Sequence, residues 1–226
     1  MPQGVIFDMD GVLVASGPAH RHSWQVLARR HGIELSDAAF ADTFGMSSRE
    51  IVRRIWGPQV TAEEIRRIDE EKEAVYRELI RGVVPLSIGA RETLGALRQA
   101  GYILAVGTSG PPENLELVLQ ETGMGGYFAA TVNGFDVQNG KPAPDIFVVA
   151  AERAGLRPRD CVVVEDAPVG IAAGLAAGMK VIGYVGTHPA ERLRAAGAIR
   201  VVERLADITP ALVAELLDGP PLPQIT

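Results

Sequence analysis

Gly4-Val5-Ile6-Phe7 runs straight into Asp8-Met9-Asp10-Gly11, an apolar stretch that ends on two aspartates and a glycine. The stretch lacks the strict alternation of a half-exposed strand, so it reads as a strand covered on both faces. Three more runs of this kind follow: Tyr102-Ile103-Leu104-Ala105-Val106, Cys161-Val162-Val163-Val164 and Lys180-Val181-Ile182-Gly183-Tyr184. Ala198–Val202 is a weaker one, and Ala130-Thr131-Val132 a short one. Helical patterns lie between them near 89–100, 111–122, 144–155, 168–178 and 189–196. Glycines 101, 123, 155, 178 and 197 close them, as helix C-termini often do. Buried strands alternating with crossover helices define an α/β fold with a doubly wound, Rossmann-like parallel sheet.

Residues 15–82 break that rhythm, holding helical patterns only. They predict an α-helical cap domain inserted into a core formed by 1–14 and 83–226. Within it Thr61 and Glu64 have capping-box spacing, and Ile65, Ile68, Val75 and Leu79 trace one helix face. Another helix is expected to begin at Ser47. The tail Gly219-Pro220-Pro221-Leu222-Pro223 favours no regular element.

Bulk composition narrows the partners. The 226 residues are 47% hydrophobic, enough for a sizeable core, and carry a net charge of −6 with a pI near 5.3. That balance argues against nucleic acid or an anionic membrane as partner. One cysteine, Cys161, excludes an internal disulfide and a cysteine metal cage. The N-terminus reaches Asp8 without the pattern of a signal peptide, and no apolar run approaches the ~20 residues of a membrane helix. The expectation is a cytoplasmic monomer.

Ligands of parallel α/β sheets bind beyond the carboxyl ends of the strands. Asp8-Met9-Asp10-Gly11 follows the first run, Gly107-Thr108-Ser109-Gly110 the second, and Glu165-Asp166 the third. Any one of these acids alone reads as a solvated loop residue. Four carboxylates gathered at one sheet edge repel one another unless a cation joins them. A hard divalent ion with oxygen ligands resolves that, and magnesium is usual where phosphate completes its shell. Thr108 and Ser109, ahead of Pro111 and a helix, supply hydroxyl and amide donors for a phosphoryl group, although the same pattern also serves ordinary capping. Lys141, in Gly140-Lys141-Pro142-Ala143-Pro144, is held outside a helix by its prolines and could bridge a nucleophile and a phosphate.

Taken in order, Asp8-Met9-Asp10-Gly11-Val12-Leu13, Thr108-Ser109, Lys141-Pro142-Ala143-Pro144-Asp145 and Val164-Glu165-Asp166 resemble the four motifs of the haloacid dehalogenase superfamily. The helical insertion after the first motif resembles that of its β-phosphoglucomutase-like phosphatases. The resemblance spans nearly the whole chain. It implies that Asp8 is the nucleophile, forming an aspartyl-phosphate, and that Asp10 is the general acid/base. It implies Mg2+ held by Asp8, the Asp10 carbonyl and Asp166, with Glu165 a direct or water-mediated partner. Thr108 and Lys141 would hold the transferring phosphoryl oxygens. Asp10 discriminates among relatives, because a phosphate ester needs a protonated leaving group and a halide does not.

Four residues of the helical insertion bear on substrate. Lys72 falls in the middle of the Ile65-Ile68-Val75-Leu79 face, so it must either snorkel to solvent or face a polar cleft. Arg49 stands in a first helical turn, where the macrodipole disfavours a cation unless it binds an anion. His20 and Trp24, four apart, share a helix face and suit a stacked pair. The resemblance aligns all four with sugar-phosphate-facing residues of the family. The implied partner is a small phosphorylated metabolite, a sugar phosphate foremost. Phosphatase is the leading activity, with sugar phosphomutase as the alternative and a silent binding module the remote one. Gly110-Pro111-Pro112 lacks the Ser-Lys-Asn-like donors with which family mutases hold a second phosphate, which favours hydrolysis. Ala15-Ser16-Gly17 also replaces the usual Asp-Ser-Glu, and Ala167 replaces a serine or threonine after the Glu-Asp pair.

Overall fold

The structure is a computed structural model that describes residues 1–41 and 48–219. Ser47 and the proline-rich tail from Pro220 lie outside the described residues. In chain order the elements are β1 (Gly4–Phe7), α1 (Gly17–Arg30), α2 (Asp37–Ala41), α3 (Ser48–Trp56), α4 (Ala62–Ile80) and α5 (Ala90–Gln99). There follow β2 (Ile103–Gly107), α6 (Pro112–Thr122), β3 (Ala130–Val132), α7 (Asp145–Arg153), β4 (Cys161–Glu165) and α8 (Pro168–Ala176). The chain closes with β5 (Lys180–Tyr184), α9 (Ala190–Ala195), β6 (Arg200–Val202) and α10 (Pro210–Asp218).

The six strands form one parallel sheet in the order β3-β2-β1-β4-β5-β6. This is the doubly wound α/β arrangement expected from the alternating pattern. Strand order reverses between β1 and β4, and ligands of such sheets bind in the crevice beyond the strand ends at that reversal. β1 and β4 are buried along their whole length, which is why neither shows alternation. Ile6, Ala105, Val163 and Val181, one from each central strand, pack into a core with Phe147, Ala150 and Ile171 from α7 and α8. The five helix-closing glycines all adopt positive φ, from 65° at Gly123 to 100° at Gly197, a region where a side chain would be strained.

The chain divides into two compact units, one of Met1–Ala15 with Val84–Thr226 and one of Ser16–Val83. In the second, the Thr61 hydroxyl accepts from the Glu64 amide at 3.2 Å while Glu64 accepts from the Thr61 amide at 2.8 Å, a complete capping box. The buried face of α4 consists of Ile65, Ile68, Lys72, Val75, Tyr76 and Ile80, and Leu79 is only half-buried. Trp24, Leu27, Phe40, Ile51, Val52, Ile65 and Ile68 make this unit's own core.

Candidate active site

The first strand delivers Asp8 to the sheet edge with its backbone already aligned. The Asp8 amide donates to the Val164 carbonyl at 3.0 Å, continuing the β1–β4 ladder one residue past β1. Asp8 therefore lies beside Glu165, the last residue of β4. The chain then turns tightly, with the amides of Leu13 and Val14 donating to the Met9 carbonyl at 2.9 and 3.0 Å. Gly11, at φ 81°, makes the turn possible, and a Cβ there would sit 2.0 Å from Asp166 Oδ2. Only glycine permits both the dihedral and the approach.

Lys141 reaches the same point from the loop before α7. Asp145, the first residue of α7, accepts from the side-chain amide and the backbone amide of Asn139, which closes that loop. The Lys141 ammonium donates to Asp8 Oδ1 at 2.7 Å and to Glu165 Oε1 at 2.6 Å, and stands 4.8 Å from the Phe147 ring centroid. Glu165 Oε2 accepts from the amides of Asp166 and Ala167, both at 2.9 Å. Both Glu165 oxygens are thus engaged. Asp166 Oδ2 accepts from the Thr187 amide at 3.1 Å and from the Thr187 hydroxyl.

On the second loop Thr108 is buried, and its hydroxyl accepts from the Gly110 amide at 3.1 Å. Ser109 is exposed. Pro111 caps α6 and Pro112 opens it, with no side-chain capping bond. Asp10 is half-buried, and a Cβ built on Gly110 would lie 3.6 Å from Asp10 Oδ2, which puts that carboxylate against the second loop.

Burial and mutual repulsion oppose ionisation of the acids at this site. Burial raises the Asp8 pKa well above the usual carboxylate range despite Lys141, and the charges of Glu165 and Asp166 push it the same way. Burial and the Glu165 charge push Asp166 up to about 7, against the donation of Thr187 and the charge of Lys141. Burial alone would lower the Lys141 pKa, but Asp8 and Glu165 carry it above its ordinary value. Asp8, Glu165 and Asp166 each offer an oxygen within 4.8 Å of the others. Three buried carboxylates against one ammonium leave negative charge that a hard divalent ion would offset, and an all-oxygen donor set is what magnesium takes. The residues present fit that ion.

The helical unit places its own polar cluster. Lys72 is buried at 4% exposure and donates to Glu73 Oε1, with His20 Nδ1 also at 2.7 Å. Its ammonium stands 5.6 Å from the Trp24 and Tyr76 ring centroids, so it does not snorkel. His20 stacks on Tyr76, with centroids 4.0 Å apart and planes 5° apart, and Trp24 tilts against Trp56. Contact between α1 and α4 thus supplies a flat ring across the helix pair. Arg49 is exposed on α3.

Sequence reasoning misses three residues here. Tyr76 follows from His20 only once the pairing of α1 with α4 is known, whereas Glu73 is the neighbour of Lys72 in α4 itself. Thr187 had a usable signal, because the loop after β5 is also a strand carboxyl end, and the rule applied to β1, β2 and β4 points there equally.

Comparison with known proteins agrees with this architecture. Residues 2–178 match the family model of haloacid dehalogenase-like hydrolases, and the chain belongs to that family. Among particular relatives, hexitol phosphatase A of Escherichia coli (strain K12) is 35% identical over 212 residues, covering 92% of this chain and 93% of its own. Fructose-1-phosphate phosphatase YqaB of the same organism is 32% identical over 184 residues, covering 79% and 94%. The crystal structure of β-phosphoglucomutase from Clostridium difficile superposes with a TM-score of 0.81 at 26% identity, covering 96% of this chain and 98% of that one.

Proposed function

We propose that this hydrolase is a magnesium-dependent phosphatase that cleaves a small phosphorylated sugar or related metabolite through an aspartyl-phosphate on Asp8. The observation that carries the reading is the buried Asp8–Lys141–Glu165 contact beside Asp166 at the point where strand order reverses. Two relatives named as phosphatases of phosphorylated sugars or hexitols support the substrate class.

Each residue then has a defined task. Asp8 attacks phosphorus, forming a P–O bond to its carboxylate while the bond to the sugar oxygen breaks. Asp10 gives its proton to that leaving oxygen, then takes one from the water that attacks the aspartyl-phosphate. Breaking the second P–O bond releases inorganic phosphate and restores Asp8. Lys141 and Thr108, with Ser109 beside them, hold the phosphoryl oxygens. Asp8, the Asp10 carbonyl and Asp166 would hold magnesium, which supplies positive charge against the transferring phosphoryl group. Glu165, its oxygens engaged by Lys141 and two amides, orients the lysine and shapes the metal site from behind. The segment 15–82 acts as a cap domain, with His20, Trp24, Arg49 and Lys72 selecting the sugar, and 1–14 with 83–226 is the catalytic core.

The β-phosphoglucomutase likeness supports a second reading, a sugar phosphomutase. Gly110-Pro111-Pro112 weighs against it, since α6 opens without a side-chain donor to retain a second phosphate. A panel of phosphorylated sugars assayed for phosphate release tests the proposal. The expected result is magnesium-dependent release, reduced at least about a thousand-fold by Asp8→Asn. Conversion of β-glucose 1-phosphate to glucose 6-phosphate without phosphate release would establish the mutase instead. Unchanged turnover in Asp8→Asn would sink both.

A further inference from the structure

The loop that leaves β5 is folded back onto Asp166 at the sheet edge. The Val185 amide donates to Val202 in line with the β5–β6 ladder, and then the Gly186 amide turns back to the Tyr184 carbonyl at 2.8 Å. Gly186 is pressed against the Asp8 loop, since a Cβ there would lie 2.0 Å from the Gly11 carbonyl oxygen and 3.1 Å from Asp166 Cβ. No residue with a side chain fits that place. The consequence is that Thr187, next in sequence, presents both its amide and its hydroxyl to a single oxygen, Asp166 Oδ2. His188 Nδ1 lies 3.0 Å from the same hydroxyl. With the hydroxyl proton committed to Asp166, the hydroxyl lone pairs accept from His188 Nδ1–H, which sets that tautomer.

We infer that Thr187 is a positioning residue for the metal carboxylate: its two donors clamp Asp166 Oδ2 and leave Oδ1 for the cation. The inference rests on the magnesium reading of the site given above. β4 and β5 are adjacent, with Glu165 in register with Gly183, so a loop beyond β5 lies beside the residue beyond β4. Groups that orient metal ligands in this way typically alter metal affinity by 10- to 100-fold when removed.

Magnesium titration by calorimetry on the full-length protein, without substrate, tests this apart from turnover. Thr187→Val keeps the shape and removes the hydroxyl, and it should weaken magnesium binding by about tenfold or more. Thr187→Ser should restore affinity to within about threefold of wild type, as a merely space-filling role would not require a hydroxyl. In phosphate-release assays Thr187→Val should raise the magnesium concentration needed for half-maximal rate, with kcat at saturating magnesium changed far less. Wild-type affinity in Thr187→Val, while Asp166→Asn binds weakly, overturns the clamp and leaves the metal site standing. Absence of magnesium binding in the wild-type protein overturns both. A Thr187→Val variant that fails to fold is replaced by Thr187→Ala, for which the same weakening and the same overturning result apply.

Discussion

Asp166 shows what opposes ionising a carboxylate inside this protein. Burial and Glu165 hold its pKa at about 7, whereas an unfolded chain releases that proton near pH 4. Between those values the folded form retains a proton that the unfolded form has lost. The contribution to stability is therefore full below about pH 4 and disappears as pH rises through about 7. Magnesium needs the ionised form, so it works in the opposite direction. Urea unfolding of metal-free wild type and Asp166→Asn should show the wild type losing midpoint relative to the variant between about pH 5 and pH 8. Saturating magnesium should abolish that relative loss. Parallel pH profiles for the two proteins would show that Asp166 titrates like a solvated acid.

The elements built around the site rely on glycine for close approach, not for flexibility. In α8 a Cβ on Gly170 would fall 1.7 Å from Glu165 Oε1, and the carboxylate would have to leave its place beside Lys141. Helix propensity alone favours alanine over glycine by about 1 kcal/mol. Overpacking costs about 1–3 kcal/mol and here also disrupts a buried ion pair, so the contact wins. Gly170→Ala should be destabilised by about 1–2 kcal/mol in urea unfolding, with phosphate release impaired. Gly95 in α5 is the matched control, because nothing lies within 4 Å of a Cβ built there. Gly95→Ala should gain up to about 1 kcal/mol, and equal responses at both positions would refute the close-contact account. Elements of this kind were legible as helices from their periodicity, but not which glycine was needed. Gly95 and Gly170 look alike in the sequence, and only the neighbour opposite each distinguishes them.

For the whole molecule, Cys161 offers a reporter of the core unit's integrity. It opens β4 in the centre of the sheet, is fully buried, and burial with Asp160 nearby pushes its thiol up to about 12. A thiol reagent such as Ellman's should leave it unmodified in the native protein and react with one thiol per chain in denaturant. Labelling at native pH faster than global unfolding would mean that β4 opens locally. The alternation of apolar runs and helices was enough to establish the parallel core, because a doubly covered strand must be apolar throughout and a parallel pair must be joined by a crossover. The order of Asp8, Thr108, Lys141 and Glu165-Asp166 along the chain was likewise enough to carry the resemblance to the haloacid dehalogenase family, and the family match agrees with it. Tertiary structure decided the rest: that both Glu165 oxygens are engaged, that His20 stacks on Tyr76, and that Thr187 closes on Asp166. Each depends on which strand or helix lies next to which, and such side-chain contacts between distant segments leave no periodic trace in the local sequence.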